Sequence, residues 1–164
     1  MLLHSLIVLA AAQAAASPPA AAPPPACADP EFHQLDFWVG KWDVYGPKGK
    51  QVGHSLIEKV YGCGIRENWM PFNNQVGGSL SVYVPGEKRW EQFWIDSQGS
   101  RAFFTGGWNG SAMVISGKWG GPLLRMSYSK NADGSVSQLG EQSTDEGKTW
   151  SPSFDFTYRP SREK

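Results

Sequence analysis

The sequence predicts an all-β protein, an antiparallel up-and-down barrel of about ten strands with a short N-terminal helix closing one end. Three observations carry that prediction. Strand-like segments recur at short, regular spacing; turn-forming pairs such as Asn109-Gly110 and Asp133-Gly134 separate them; and no long helical crossover exists to build a parallel sheet. The 164 residues include 8 Trp, 8 Phe and 19 Gly, which suits short strands and tight turns better than a helical bundle. Closing the meander removes the exposed edges an open sheet would leave. Fifteen basic side chains balance fifteen acidic ones, which disfavours nucleic acid or an anionic membrane surface as a partner.

In chain order, residues 1–17 read as a signal peptide. An apolar run, Leu2, Leu3 and Leu6 to Ala12, is too short to span a bilayer comfortably and is followed by small residues around Ala14 and Ala16. Only the amino terminus and His4 supply positive charge before it, so an uncleaved anchor is the alternative. Residues 18–26 form a Pro/Ala linker of polyproline character. The barrel domain is expected over 27–160, with a tail at 161–164, in a periplasmic or secreted protein with no stable membrane insertion after signal cleavage.

Cys27 and Cys63 fit that compartment, because an even pair in an exported chain most simply forms one disulfide. The alternatives are free thiols or a lipid on Cys27, although Pro24, Pro25 and Ala26 replace the aliphatic residue that lipidation favours. Asp29-Pro30-Glu31 reads as a helix start, with Asp29 as cap, and Phe32, Leu35 and Val39 fall near one face. The strand candidates are 42–45, 52–61, 65–69, 79–84, 90–96, 101–106, 112–118, 123–129, 135–143 and 153–159. Gly46-Pro47-Lys48-Gly49, Pro85-Gly86, Gln98-Gly99 and Gly120-Gly121-Pro122 are further turns.

Function depends on what points inward. Over 89–96, Arg89 and Glu91 belong in water, so the alternate face, Trp90, Gln92, Trp94 and Asp96, should line the interior. Glu67 and Trp69 share a face on an earlier strand, and Tyr83 with Ser81, Arg125 with Ser127, and Gln138 are further inward candidates. Buried polar groups need partners, so this interior reads either as a cavity for a small apolar or aromatic ligand or as an internal hydrogen-bond network. Arg125 beside Glu67 or Asp96 would form an interior ion pair that orients a polar head group. Glu67 and Asp96 also form the only candidate acid–base pair for a barrel hydrolase or isomerase. A structural envelope protein with a filled barrel is the remaining alternative.

No activated nucleophile or phosphate-binding loop is present. Ser143-Thr144-Asp145-Glu146-Gly147-Lys148-Thr149-Trp150 matches a turn repeated in sialidase-like propellers, but one copy in a chain this short reads as a hairpin turn with Trp150 packed beneath. His33 and His54 belong to no ligand cluster, so capping or surface roles are set above haem ligation, and neither a cofactor nor a metal is expected. Asn109-Gly110-Ser111 is a formal glycosylation sequon that a turn explains equally well.

Gly40-Lys41-Trp42 at the start of the first strand resembles the Gly-x-Trp signature of lipocalins and the wider calycin barrels. A resemblance spanning Cys27 to Arg159 is to a family of exported bacterial proteins of unknown function that begin on a phrase like FDFWLGxWDV. Here Leu35 to Val44 reads LDFWVGKWDV, with leucine at the first position and valine before the glycine. It continues in Gly62-Cys63, Glu67-Asn68-Trp69, Trp90 to Asp96, Gly147 to Trp150 and Phe154-Asp155. That resemblance implies an exported, calycin-like barrel and no particular activity. The 32–44 stretch then becomes a stopper, with Phe37, Trp38 and Trp42 closing one end.

Overall fold

A computed structural model describes residues 27–162; the signal-peptide and linker readings, and the last two residues of the tail, lie outside the described residues. Ten antiparallel strands close into one barrel: β1 Gly40–Tyr45, β2 Gln51–Val60, β3 Gly64–Pro71, β4 Gly77–Val84, β5 Arg89–Asp96, β6 Arg101–Trp108, β7 Met113–Lys118, β8 Leu123–Lys130, β9 Val136–Ser143 and β10 Ser151–Pro160. Each pairs with its neighbours in sequence, and β10 returns to β1. All ten predicted strands are present, most of them a residue or two longer at an end. No helix among the described residues is long and apolar enough to cross a membrane.

Side chains alternate between core and outer face, as the two-residue period of a strand demands. Val44, Ile57, Ile65, Trp90, Phe104, Met113, Ile115, Met126, Tyr128, Val136 and Tyr158 all point inward and are almost completely buried. The closed end gathers the loops after β2, β4, β6 and β8; the loops after β1, β3, β5, β7 and β9 ring the opposite mouth.

The stopper corrects one expectation. It is not an α-helix at the N-terminus but two 3-10 turns, Pro30–His33 and Asp36–Trp38, that immediately precede β1. Asp29 makes no side-chain cap bond. In a 3-10 turn, residues three apart eclipse. Leu35 and Trp38 therefore enter the core together, while Val39, one residue beyond, turns outward to 37% exposure. Trp38 packs on Tyr128 and Tyr158 at ring-centroid distances of 4.8 and 5.9 Å, and its carbonyl accepts from Trp42 Nε1 at 2.8 Å. Phe37 meets Trp108 edge-on at 6.1 Å. Cys27 and Cys63 form a disulfide with a Cα separation of 5.5 Å, tying the start of the stopper to the β2–β3 turn.

The turn residues work differently from a two-residue hairpin. Gly110 and Gly134 take positive φ (103° and 83°), whereas Asn109 and Asp133 act through their side chains. Asn109 Oδ1 accepts from the Ser111 and Ala112 amides at 3.0 and 2.9 Å, and Asp133 Oδ1 from the Ser135 amide at 3.0 Å. The 143–150 segment is likewise a side-chain-locked turn: Asp145 accepts from the Thr149 amide and hydroxyl at 2.9 and 2.6 Å, and Trp150 Nε1 donates to Gly147 O at 3.0 Å.

Candidate functional site

The inward faces do not fill the barrel. A cavity of about 180 Å³ remains between the stopper and the open mouth. On the stopper side its floor is formed by Tyr128 and Tyr158, which rest on Trp38. Trp69, Trp94, Trp119 and Phe156 line its upper wall and continue into a vestibule of about 650 Å³ rimmed by Lys50, Asn73, Gln75, Asp96 and Gln98. Phe104, Leu124, Met126 and Phe154 complete the apolar wall.

The polar groups concentrate low in the cavity and are mutually bonded. Tyr158 OH donates to Gln138 Oε1 at 2.6 Å, and Gln138 Nε2 donates to Tyr128 OH at 3.0 Å. Gln92 Nε2 donates to Ser81 Oγ at 3.0 Å. Glu67 is 5% exposed and accepts from Ser79 Oγ at 3.0 Å through Oε2. Burial pushes its carboxyl up to about 7, against the opposing pull of the Ser79 and Ser55 hydroxyls. Burial also raises both tyrosines, Tyr128 and Tyr158, with the nearby Glu67 charge adding to it.

The structure brings together five of the nine sequence-predicted ligand residues: Glu67, Trp69, Gln92, Trp94 and Gln138 all line the cavity. Trp90 and Tyr83 point inward but lie nearer the stopper. Trp90 Nε1 donates to Gln34 Oε1 at 3.1 Å, and Tyr83 meets Phe32 edge-on at 5.5 Å, so both seat the stopper. Asp96 stands at the rim. Its Oδ1 accepts from the Gln98 and Ser100 amides at 2.9 and 3.0 Å, and Oδ2 faces Trp94 Nε1 at 3.4 Å. Desolvation pulls its carboxyl up, but those donors together hold it below the usual carboxylate range.

Arg125 is a correction. On β8 the apolar residues Leu124, Met126 and Tyr128 take the inner face, so Arg125 and Ser127 lie outside. Arg125 pairs with Glu141 at 2.8 Å and lies over the Trp150 ring at 4.2 Å, and the interior ion pair with Glu67 or Asp96 does not form. The histidines also lie away from the cavity: His54 pairs with Asp43 at 2.9 Å, and His33 with Asp36 at 2.8 Å. No group of three His, Cys, Asp or Glu placed to hold a metal ion occurs among the described residues.

Several cavity residues escaped the sequence reading. Alternation on 123–129 pointed to Leu124, Met126 and Tyr128, had the apolar set been weighed above Arg125. Phe154, Phe156 and the buried Tyr158 alternate along the predicted 153–159 strand, so period two marked them as well; the bulge between Pro152 and Phe154 lies before them and shifts only the start of the register against β9. Trp119 belongs to a loop that folds over the mouth, where no periodicity operates.

One wall is held open by a missing side chain. Phe154 lies flat across Gly140 on β9, and a Cβ at Gly140 would sit 2.3 Å from its ring. The atoms nearest to that Cβ all belong to the Phe154 ring, so Gly140→Ala is expected to leave the barrel folded while driving Phe154 into the cavity. The change should shrink the cavity visibly in a crystal structure and weaken binding of any occupant.

The molecule thus defines a class: a closed ten-stranded β-barrel with a stoppered end, an open mouth and an internal cavity of mixed aromatic and polar lining. No protein-family model matches the chain, and no curated protein matches it.

Proposed function

We propose that this is an exported, calycin-like barrel that binds a small apolar or aromatic ligand in its interior. The observation that carries the reading is the unfilled cavity beneath three indoles, open at one end only. At about 180 Å³ it is slightly larger than the roughly 150 Å³ apolar cavity that admits benzene, so it suits one ring with a short polar arm. The disulfide supports export, since such bonds persist in oxidising compartments. The resemblance of the Leu35 to Val44 stretch to exported calycin-like proteins supports the same placement.

The acid–base alternative is weakened at Asp96, whose oxygens are already engaged by turn amides and an indole, and which lines the vestibule rather than the cavity. A filled structural barrel would leave no such space.

Native mass spectrometry of protein purified from its own host should reveal a co-purifying small molecule; a mass equal to the oxidised mature chain alone would count against tight binding. A ligand found this way should perturb indole fluorescence in the wild type and perturb it less in Trp94→Ala. An unchanged response in that variant would remove Trp94 from the site.

A further inference from the structure

Among the groups facing the cavity, the charges are one-sided. Glu67 from β3 is met by the hydroxyls of Ser55 from β2 and Ser79 from β4 and lies near Tyr128 from β8 and Tyr158 from β10, while Gln92 from β5 and Gln138 from β9 line the same cavity. Every one of these is neutral, and no ion pair to Glu67 forms among the described residues. The arginines and lysines in these ion pairs face outward or lie at the ends: Arg66 pairs with Glu58, Arg89 with Glu87 and Glu91, Arg125 with Glu141, and Lys59 with Asp36 in the stopper. Lys50 lies in the vestibule and not in the cavity.

A buried carboxylate without a counter-charge is costly unless something supplies one. The groups around it provide hydroxyl and amide donors but no cation, while the approach from the mouth runs past Trp69, Trp94 and Trp119, whose ring faces attract positive charge. The vestibule itself is balanced, with Asp96 and Lys50 both in its lining, so the charge bias comes from the cavity. An anionic ligand would meet Glu67 with like charge and find no cation in the cavity to offset it. A neutral one would leave Glu67 either to keep its proton or, in mildly alkaline solution, to ionise without a counter-charge.

Resting on the ligand-binding reading above, we propose that the occupant is a small organic cation, an aromatic or short alkyl ammonium whose nitrogen pairs with Glu67 while its body lies among the indoles. Glu67 is then the residue that sets specificity by charge. Because the ammonium and the carboxylate must both be charged, the pair forms most completely above the pH at which Glu67 ionises and below that at which the amine loses its proton, near pH 10 for an alkylamine.

The test is calorimetric titration of the oxidised mature chain at about pH 8.5, where Glu67 is ionised and an alkylamine remains protonated. Three probes share one ring and differ in charge: 2-phenylethylamine, 2-phenylethanol and phenylacetate. The amine is expected to bind most tightly, and Glu67→Gln to weaken it by about thirtyfold or more, the usual loss on removing one partner of a desolvated charge pair. Binding of the alcohol should survive in that variant. The substitution relieves a buried charge, so the variant is expected to fold. If the alcohol or phenylacetate binds as well as the amine, or if Glu67→Gln keeps the preference for the amine, the cation assignment is overturned and ligand binding stands. Absence of binding for all three probes would overturn both.

Discussion

Glu67→Gln is expected to stabilise the protein by about 3 kcal/mol in mildly alkaline solution and to change nothing measurable near pH 4. In the unfolded chain Glu67 ionises near the ordinary glutamate value of 4.5, whereas in the barrel burial raises this to about 7. Below the unfolded value both states hold the proton, and the folded protein loses nothing. As pH rises from there through the folded value, the unfolded chain releases its proton first. Unfolding is progressively favoured, and the loss levels off once the folded carboxyl has also ionised. Glutamine stays neutral throughout and keeps an amide oxygen for the Ser79 hydroxyl. Asp145, held at about 2 by the Thr149 hydroxyl and amide, and Asp36, Asp96 and Asp133, also held low, act in the opposite sense. Their contribution is present above the usual carboxylate range and is lost as pH falls through their folded values. Both proteins share it, so it cancels in the difference. Urea midpoints at a series of pH values should therefore diverge between wild type and variant as pH rises; parallel curves would mean that Glu67 is already paired or hydrated in the folded state.

The same residue shows what the sequence could and could not convey. Alternation on β3 placed Glu67 and Trp69 on one face, and that rule holds because a strand's period of two leaves no intermediate orientation. The barrel order was legible for a related reason: turn glycines and the lack of a crossover leave sequential pairing as the only simple topology. Arg125 failed because strand alternation identifies two faces without saying which one is inside. On β5 two charged residues decided the matter, whereas on β8 a single arginine was outvoted by Leu124, Met126 and Tyr128. Asp96 followed its strand's pattern and still missed the cavity, because it is the last residue of β5 and its side chain is captured by the following turn. The sequence left a cavity and a filled network as alternatives, and which of them holds was not legible, since it depends on how Gly140, Phe154 and Trp119 pack across three separate segments.

Replacing both cysteines, Cys27→Ser with Cys63→Ser, is expected to cost about 4 kcal/mol of stability while leaving the folded structure in place. The disulfide spans 36 residues, and closing a loop of that length in the unfolded chain corresponds to roughly that figure in the chain-entropy account. The native state has other reasons to keep the stopper seated. Leu35 and Trp38 are buried, Trp90 Nε1 bonds Gln34, and Lys59 holds both Asp36 and the Phe32 carbonyl, the latter at 3.3 Å. Burial of the Trp38 side chain alone is worth about 3 kcal/mol or more, judged from the usual cost of truncating a buried tryptophan, which outweighs the pull of a freed chain end. The double variant should therefore unfold at lower urea concentration yet show the near-ultraviolet circular dichroism of the wild type in water, because Trp38, Tyr128 and Tyr158 remain in contact. Loss of that aromatic signal without denaturant would show instead that the disulfide holds the stopper in the folded state. The cavity floor would then open at both ends, and any ligand affinity should fall along with stability.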